Sequence, residues 1–338
     1  MFFKMHASCI IVKGALRSTI CDLDRNDFHL IPNTLADLLL NFDGMHKDEV
    51  YRYYGDSNKD ILDEYFEFLQ SKDLIFFCQD KCELSLYPPI NFDFLNQSNI
   101  NNAIIDIDPG NVLIQRYMID ELKDLGCQHL QIRFFKSVKV RKLKKIISMF
   151  DDSNLSSIEV VLPYSRELTK EALINLYLMF QISNIQIHST PKSEVDALNN
   201  SIGKSWNIIF FEKIIENETH CGVINPHYFN VHISLFSEAK NFNTCLNRKI
   251  SIDQFGNIKN CPSMPKSYGN ISDTKLSSVY SNREFQSYWA IKKDEINICK
   301  SCEFRYICSD CRVYIQNNDL YGKPSKCQYD PFSAKWNY

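Results

Sequence analysis

The chain has 338 residues, 44% hydrophobic, 13% aromatic and 23% charged, which excludes a largely disordered protein and provides apolar material for two or three domains. Lysine and arginine total 38 against 41 acidic residues, a formal charge of −3, so no bulk positive field favours nucleic acid or an anionic membrane. Residues 1–15 hold no apolar stretch of signal-peptide or membrane length, which reads as cytoplasmic; there, thirteen cysteines, an odd number, point to metal ligation more than to disulfides.

Residues 1–95 open with apolar alternation at 9–12, 18–23 and 28–31, separated by Lys13-Gly14 and by the polar stretch 24–27, and this predicts a three-stranded meander. Pro32-Asn33 then introduces helices over 35–41, 47–54 and 58–71, the last with Ile61, Leu62, Tyr65, Phe66 and Leu69 at helical spacing. Strands followed by three helices describe a winged-helix-like module.

Residues 96–219 alternate instead. Extended patterns at 103–108, 130–135, 158–163, 185–188 and 206–211 are separated by helical ones at 112–125, 140–150, 170–181 and 193–201. The alternation predicts an α/β segment of parallel strands with crossover helices, as a partial barrel or an open sheet. It carries no G-x-G-x-x-G and no P-loop. Its basic run, 141–145, shares a helix with Leu143, Ile146 and Ile147, and reads as a solvated face.

Residues 220–338 predict a hairpin, 249–253 and 257–260 around Gly256, and one helix over 276–293. A core this thin needs help to fold, and in the cytoplasm that help is metal.

Cysteine usage sharpens the expectation. Cys9, Cys21 and Cys127 lie in or beside apolar runs and read as small buried hydrophobes. Seven of the thirteen fall in the last 94 residues: Cys245, then Gly256 and Cys261, then Cys299-x2-Cys302, Cys308-x2-Cys311 and Cys327. Thiolates at such spacings hold iron or zinc at short, fixed distances, and C-x2-C loops put two of them on one centre.

This order resembles the SPASM domain, the C-terminal iron-sulfur domain of radical SAM enzymes that modify peptides. The pattern is met except that Cys308 and Cys311 are two residues apart, where the family has three. The resemblance implies one [4Fe-4S] cluster on Cys299, Cys302, Cys308 and Cys327 and a second on Cys245, Cys261 and Cys311. The fourth ligand of the second is missing from its usual place shortly before Cys245. Cys221 is the nearest replacement, with His227 and His232 as alternatives; two four-thiolate zinc sites would use the same residues.

The radical SAM signature itself, C-x3-C-x2-C after the first barrel strand, is absent, since residues 103–108 run through Pro109-Gly110-Asn111 into a helix. Arg133-Phe134-Phe135-Lys136 stands where the family has its S-adenosylmethionine glycines. Cys78-x3-Cys82-x2-Ser85 has the spacing but a serine in third place, and it precedes the barrel; an active enzyme with a cluster displaced there would have to cleave S-adenosylmethionine reductively. A cysteine-rich end without the radical motif, together with the segments at 245–253 and 299–306, is similar to the grasp-with-spasm system SPASM-domain peptide maturases.

That resemblance implies a partial (β/α) barrel of radical SAM type over 96–219, a SPASM domain over 220–338, and two partners, a ribosomal precursor peptide and an ATP-grasp ligase. It also implies that residues 1–95 capture the precursor's leader as an added strand, with Phe28, Leu30, Ile31, Tyr65 and Phe68 supplying pockets. The function expected is an iron-sulfur protein of peptide maturation without radical SAM chemistry. The alternative is a non-catalytic zinc adaptor that presents the precursor.

Overall fold

The computed structural model describes residues 1–94, 97–151, 153–180, 182–203 and 205–337. They form two compact units, each drawn from separated stretches: Met1–Phe94, Val223–Thr244 and Ile291–Tyr338 in the first, Leu95–Gly222 and Cys245–Ala290 in the second. Residues 220–338 therefore contribute to both.

The first unit begins with β1 (Phe2–Met5), β2 (Cys9–Lys13), β3 (Arg17–Asp22), β4 (Asp27–Pro32), α1 (Asn33–Phe42), α2 (Lys47–Tyr54), α3 (Lys59–Ser71) and β5 (Ile75–Cys78). The expected meander is present as an antiparallel sheet in the order β2-β3-β4, which leaves β4 at an edge. The three helices follow it as the apolar spacing predicts. What local pattern does not reveal is the pairing of β1 with β5, Phe2 opposite Cys78, which ties the module's start to its end. Its core gathers Phe3, Ile20, Leu35, Leu39, Leu62 and Phe66.

In the second unit β6 (Asn102–Ile107), α4 (Arg116–Asp124), β7 (His129–Phe134), α5 (Val140–Ile147), β8 (Ser157–Pro163), α6 (Lys170–Met179), β9 (Ile182–His188), α7 (Lys192–Ile202) and β10 (Ile208–Phe210) alternate as expected. The helix predicted over 170–181 ends in α6; position 181 lies outside the described residues. The strands β6 to β10 are parallel neighbours, so the α/β class and the central parallel sheet are as the alternation predicts. Leu143, Ile146 and Ile147 are the buried residues of α5, leaving its lysines on the solvated side.

After α8 (Ile233–Asn241) in the first unit, the chain returns with β11 (Lys249–Ile252) and β12 (Ile258–Lys259). This is the predicted hairpin, and it extends the central sheet to seven strands, β10-β9-β8-β7-β6-β11-β12, because β11 pairs in parallel with the free edge of β6. Gly256 turns the hairpin at φ +83°, and a Cβ there would lie 3.0 Å from Asn270 Oδ1.

The single helix expected over 276–293 is instead two short ones, α9 (Leu276–Tyr280) and α10 (Arg283–Ser287), ending in a 3₁₀ turn. The break has a local cause: Asn282 accepts a bond from the backbone N–H of Glu284 at 2.9 Å and starts a new helix as its cap. Among the described residues no helix is long and apolar enough to cross a membrane.

Candidate metal centres

In the first unit, Cys299 starts a single 3₁₀ turn that Cys302 closes, its N–H donating to the Cys299 carbonyl at 2.9 Å. Ile298, just before it, sits at φ +68°, a conformation that costs a β-branched residue about 1–2 kcal/mol. The Cys308–Cys311 loop is fixed by buried Asp310, which accepts from Arg312 at 2.8 Å and from Asn243 at 2.6 Å, while Arg312 also donates to the carbonyls of Leu320 and Gly322 at 2.9 Å. Two residues between these cysteines are therefore enough for a defined loop.

Lys293 enters this group from below the loop. It is 6% exposed, and its Nζ donates to Cys308 Sγ at 2.9 Å and to the Ser309 carbonyl at 2.9 Å. Burial pushes the Cys299 thiol up to about 12, Lys293 opposes it, and Cys308 and Cys327 add to it, so these sulfurs share one electrostatic environment. Cys302 is likewise raised, by burial first, with Cys308 among its neighbours. Burial pulls Lys293 down, but Cys308, Cys299 and Asp310 more than offset it.

The second group is built by the β11–β12 hairpin. Its register pairs Ser251 with Lys259, and Cys261 follows β12 by two residues. Lys249 Nζ contacts Cys245 Sγ at 3.7 Å, four residues back along the chain. Cys221 follows a 3₁₀ turn, Glu218–His220, whose first carbonyl accepts from Ser263 Oγ at 2.8 Å, which ties the Cys221 loop to that of Cys261. Burial lowers Lys249, and Cys245, Cys261 and Cys221 together raise it past its ordinary value. The Cys261 thiol is raised by burial and then by Cys221, with Lys249 and Arg133 opposing.

Among the described residues no three His, Cys, Asp or Glu side chains already meet at metal-binding distance. The two groups nevertheless match in chemistry: soft sulfur ligands and a lysine in contact with one sulfur of each. Cys299, Cys302, Cys308 and Cys327 belong to the first unit, as does buried Cys311; Cys221, Cys245 and Cys261 belong to the second. Of the alternatives to Cys221, His232 caps α8, its Nδ1 accepting from the Ser234 N–H at 3.2 Å, and His227 sits in a 3₁₀ turn of the first unit.

The other cysteines are placed elsewhere. Cys9, Cys21 and Cys127 are buried, with thiols pushed up to about 12 chiefly by burial, as expected of small hydrophobes. Cys78 is a buried residue of β5, whereas Cys82 lies exposed in the 3₁₀ turn Lys81–Leu86.

A feature that spacing did not reveal stands at the C-terminal ends of β6 and β7, the side of a parallel sheet where ligands bind. Asp106 and Arg133 are register partners there and form a buried two-point ion pair, Nε to Oδ1 at 2.6 Å and NH2 to Oδ2 at 2.9 Å. Buried His188, at the end of β9, shares a hydrogen bond with the Phe134 carbonyl at 3.2 Å. Its pKa is lowered by burial. The turn after β6 is closed by Asp108, which accepts from the Gly110 N–H at 2.8 Å and from Lys136 at 2.7 Å. Asp106 and Arg133 are 27 residues apart, so only their alternation within two separate strands could have hinted at the pair.

In the N-terminal module, His29 of β4 packs on Phe68 of α3 with ring centres 6.2 Å apart, and Tyr65 shares a hydrogen bond with Thr34 at 2.7 Å. Phe28 packs against Phe229 and Phe304, and Ile31 is buried, so neither offers a free pocket wall. Leu30 is 43% exposed beside the open edge of β4.

No family model matches the chain, and no curated protein matches it. Among solved structures, BtrN in complex with AdoMet and 2-DOIA aligns at 9% identity and TM-score 0.39, covering 66% of this chain and 97% of its own. Streptococcus suis SuiB bound to S-adenosylmethionine aligns at 11% identity and TM-score 0.36, covering 96% of this chain and 100% of its own. SuiB bound to precursor peptide SuiA aligns at 11% identity and TM-score 0.33, over 97% and 100%.

Proposed function

We propose that the chain is an iron-sulfur protein of ribosomal peptide maturation that binds a precursor peptide through its N-terminal module and works beside an ATP-grasp ligase. The observation that carries the cluster assignment is the lysine in each cysteine group, Lys293 at 2.9 Å from Cys308 and Lys249 at 3.7 Å from Cys245. An ammonium removed from water is destabilising unless a charge opposes it, and a metal-bound sulfur is a thiolate whereas a buried free thiol is neutral. Cys299, Cys302, Cys308 and Cys327 hold one [4Fe-4S] cluster in this account; Cys245, Cys261 and Cys221 are ligands of a second.

Such a cluster, when bound, supplies a one-electron couple or an iron open to a substrate atom. Around it this chain's residues bury Cys261, Cys299 and Cys308, brace the loops and supply counter-charge. The loop directly after β6, residues 108–115, holds no cysteine, so reductive cleavage of S-adenosylmethionine is not assigned to this chain. Protein purified without oxygen is expected to carry about eight iron and about eight acid-labile sulfide per chain, as two such clusters require. About two zinc without sulfide would overturn the assignment and leave a peptide-presenting adaptor.

The peptide part is supported by the unpaired edge of β4, with Leu30 exposed and His29, Tyr65 and Phe68 beside it. An extended peptide can add to such an edge through its backbone and set alternate side chains into pockets. Leu30→Glu is expected to weaken binding of a synthetic precursor leader about tenfold, roughly 1.4 kcal/mol, at unchanged iron content. Calorimetric titration beside Leu40→Glu checks it. Leu40 lines a separate cleft of about 290 Å³ with Lys4, Met5, Ile11 and Tyr87, and an effect confined to Leu40→Glu would move the peptide site there.

A further inference from the structure

We infer that Lys293 is the counter-charge that sets the electron affinity of the centre on Cys299, Cys302, Cys308 and Cys327, holding its reduction potential up by donating to the Cys308 sulfur. The inference rests on the iron-sulfur assignment above and goes beyond it, since nothing in the cysteine spacing concerns Lys293.

A lysine ammonium has three donors and no acceptor. Two of those of Lys293 are aimed, one at Cys308 Sγ and one at the Ser309 carbonyl, both at 2.9 Å. The carboxylate within its electrostatic reach, Asp310, already serves other partners: Arg312, fully buried, holds one oxygen at 2.8 Å and Asn243 holds the other at 2.6 Å. Asp310 and Arg312 thus balance each other, and the sulfur is the group left to answer the charge of Lys293.

A [4Fe-4S]²⁺ core on four thiolates has net charge −2, and one added electron makes it −3. A cation in hydrogen-bond contact with a ligand sulfur, away from water, stabilises the more negative state more strongly. Lys249 makes the corresponding approach at 3.7 Å, a longer and weaker contact. It provides an internal comparison for the second centre.

The test is a redox titration of the holoprotein followed by electron paramagnetic resonance, with dithionite donating the single electron and no bond made or broken. Lys293→Met with full iron and sulfide is expected to shift the reduction equilibrium at least tenfold against the reduced state, about 59 mV for one electron. Lys293→Arg, which keeps the charge, stays near wild type, and Lys249→Met leaves this centre's potential in place. An unchanged potential in iron-replete Lys293→Met overturns the inference. Should Lys293→Met bind no iron, retention of iron by Lys293→Arg upholds the counter-charge, and loss of iron in both overturns it in favour of packing alone. Wild-type protein without sulfide would mean that the iron-sulfur assignment itself has failed, an outcome read before any variant is made.

Discussion

Arg133→Met is expected to lower the free energy of unfolding by about 3–5 kcal/mol, because it leaves Asp106 as a buried carboxyl without its partner. The pair is held at two points, 2.6 and 2.9 Å, and the Asp106 side chain is 1% exposed. Burial raises the Asp106 pKa, the Arg133 hydrogen bond and charge lower it, and Glu218 and Asp253 raise it again, for a net shift upward. Removing Arg133 deletes both lowering contributions.

The sign of the pH dependence follows. At acid pH, below the ordinary carboxyl range, Asp106 is protonated in both the folded and the unfolded variant, and the loss is smallest. As pH rises, the unfolded chain releases the proton first while the folded chain retains it, so the variant's stability falls with rising pH and its gap from wild type widens towards neutrality. Denaturant unfolding at several pH values checks this. Asp106→Leu combined with Arg133→Met is expected to recover much of the loss, as apolar replacements of buried pairs do; a double variant as unstable as the single one would mean that the pair is not the source of the effect.

Cys302→Ala is expected to empty the C-terminal centre, taking iron and sulfide from about eight to about four per chain and sharply reducing soluble yield. The second loss comes from Lys293, which would then face a neutral Cys308 thiol in a buried pocket. Cys78→Ala and Cys82→Ala are expected to keep full iron, since Cys78 packs within β5 and Cys82 is exposed on a separate turn. Iron and sulfide assays on the three variants decide it. Full iron in Cys302→Ala would remove this residue from the ligand set, and loss of about one zinc without sulfide would favour a four-thiolate zinc site.

Much of the local structure is legible in the residues. Apolar periodicity located α2 at Lys47–Tyr54 residue for residue and the meander strands to within a few positions, since these depend on neighbours in the chain. The long helix expected over 276–293 divides because its apolar spacing continues past Asn282, whose side chain caps the backbone and starts a second helix. The spacing of the cysteines draws attention to Cys308 and Cys245, yet the lysines that reach their sulfurs, Lys293 and Lys249, carry no sequence signal. The role of Lys293 depends on its burial, which a lysine within a polar stretch does not announce.

Legible in the residues alone were the alternation of strand and helix, the α/β class, the edge-forming meander, the clustering of cysteines towards the C-terminus and the lack of a cysteine in the loop directly after β6. Each of these is set by side-chain period or by spacing along a short stretch of chain. Only the folded chain shows that β11 joins the edge of β6, that β5 closes on β1, that Arg133 meets Asp106, and that Lys293 and Lys249 reach the sulfurs of Cys308 and Cys245. The physical reason is that these contacts join residues brought together by strand register and loop path, and their energies come from desolvated charge, which has no period in the sequence and appears only once the surrounding chain has excluded water.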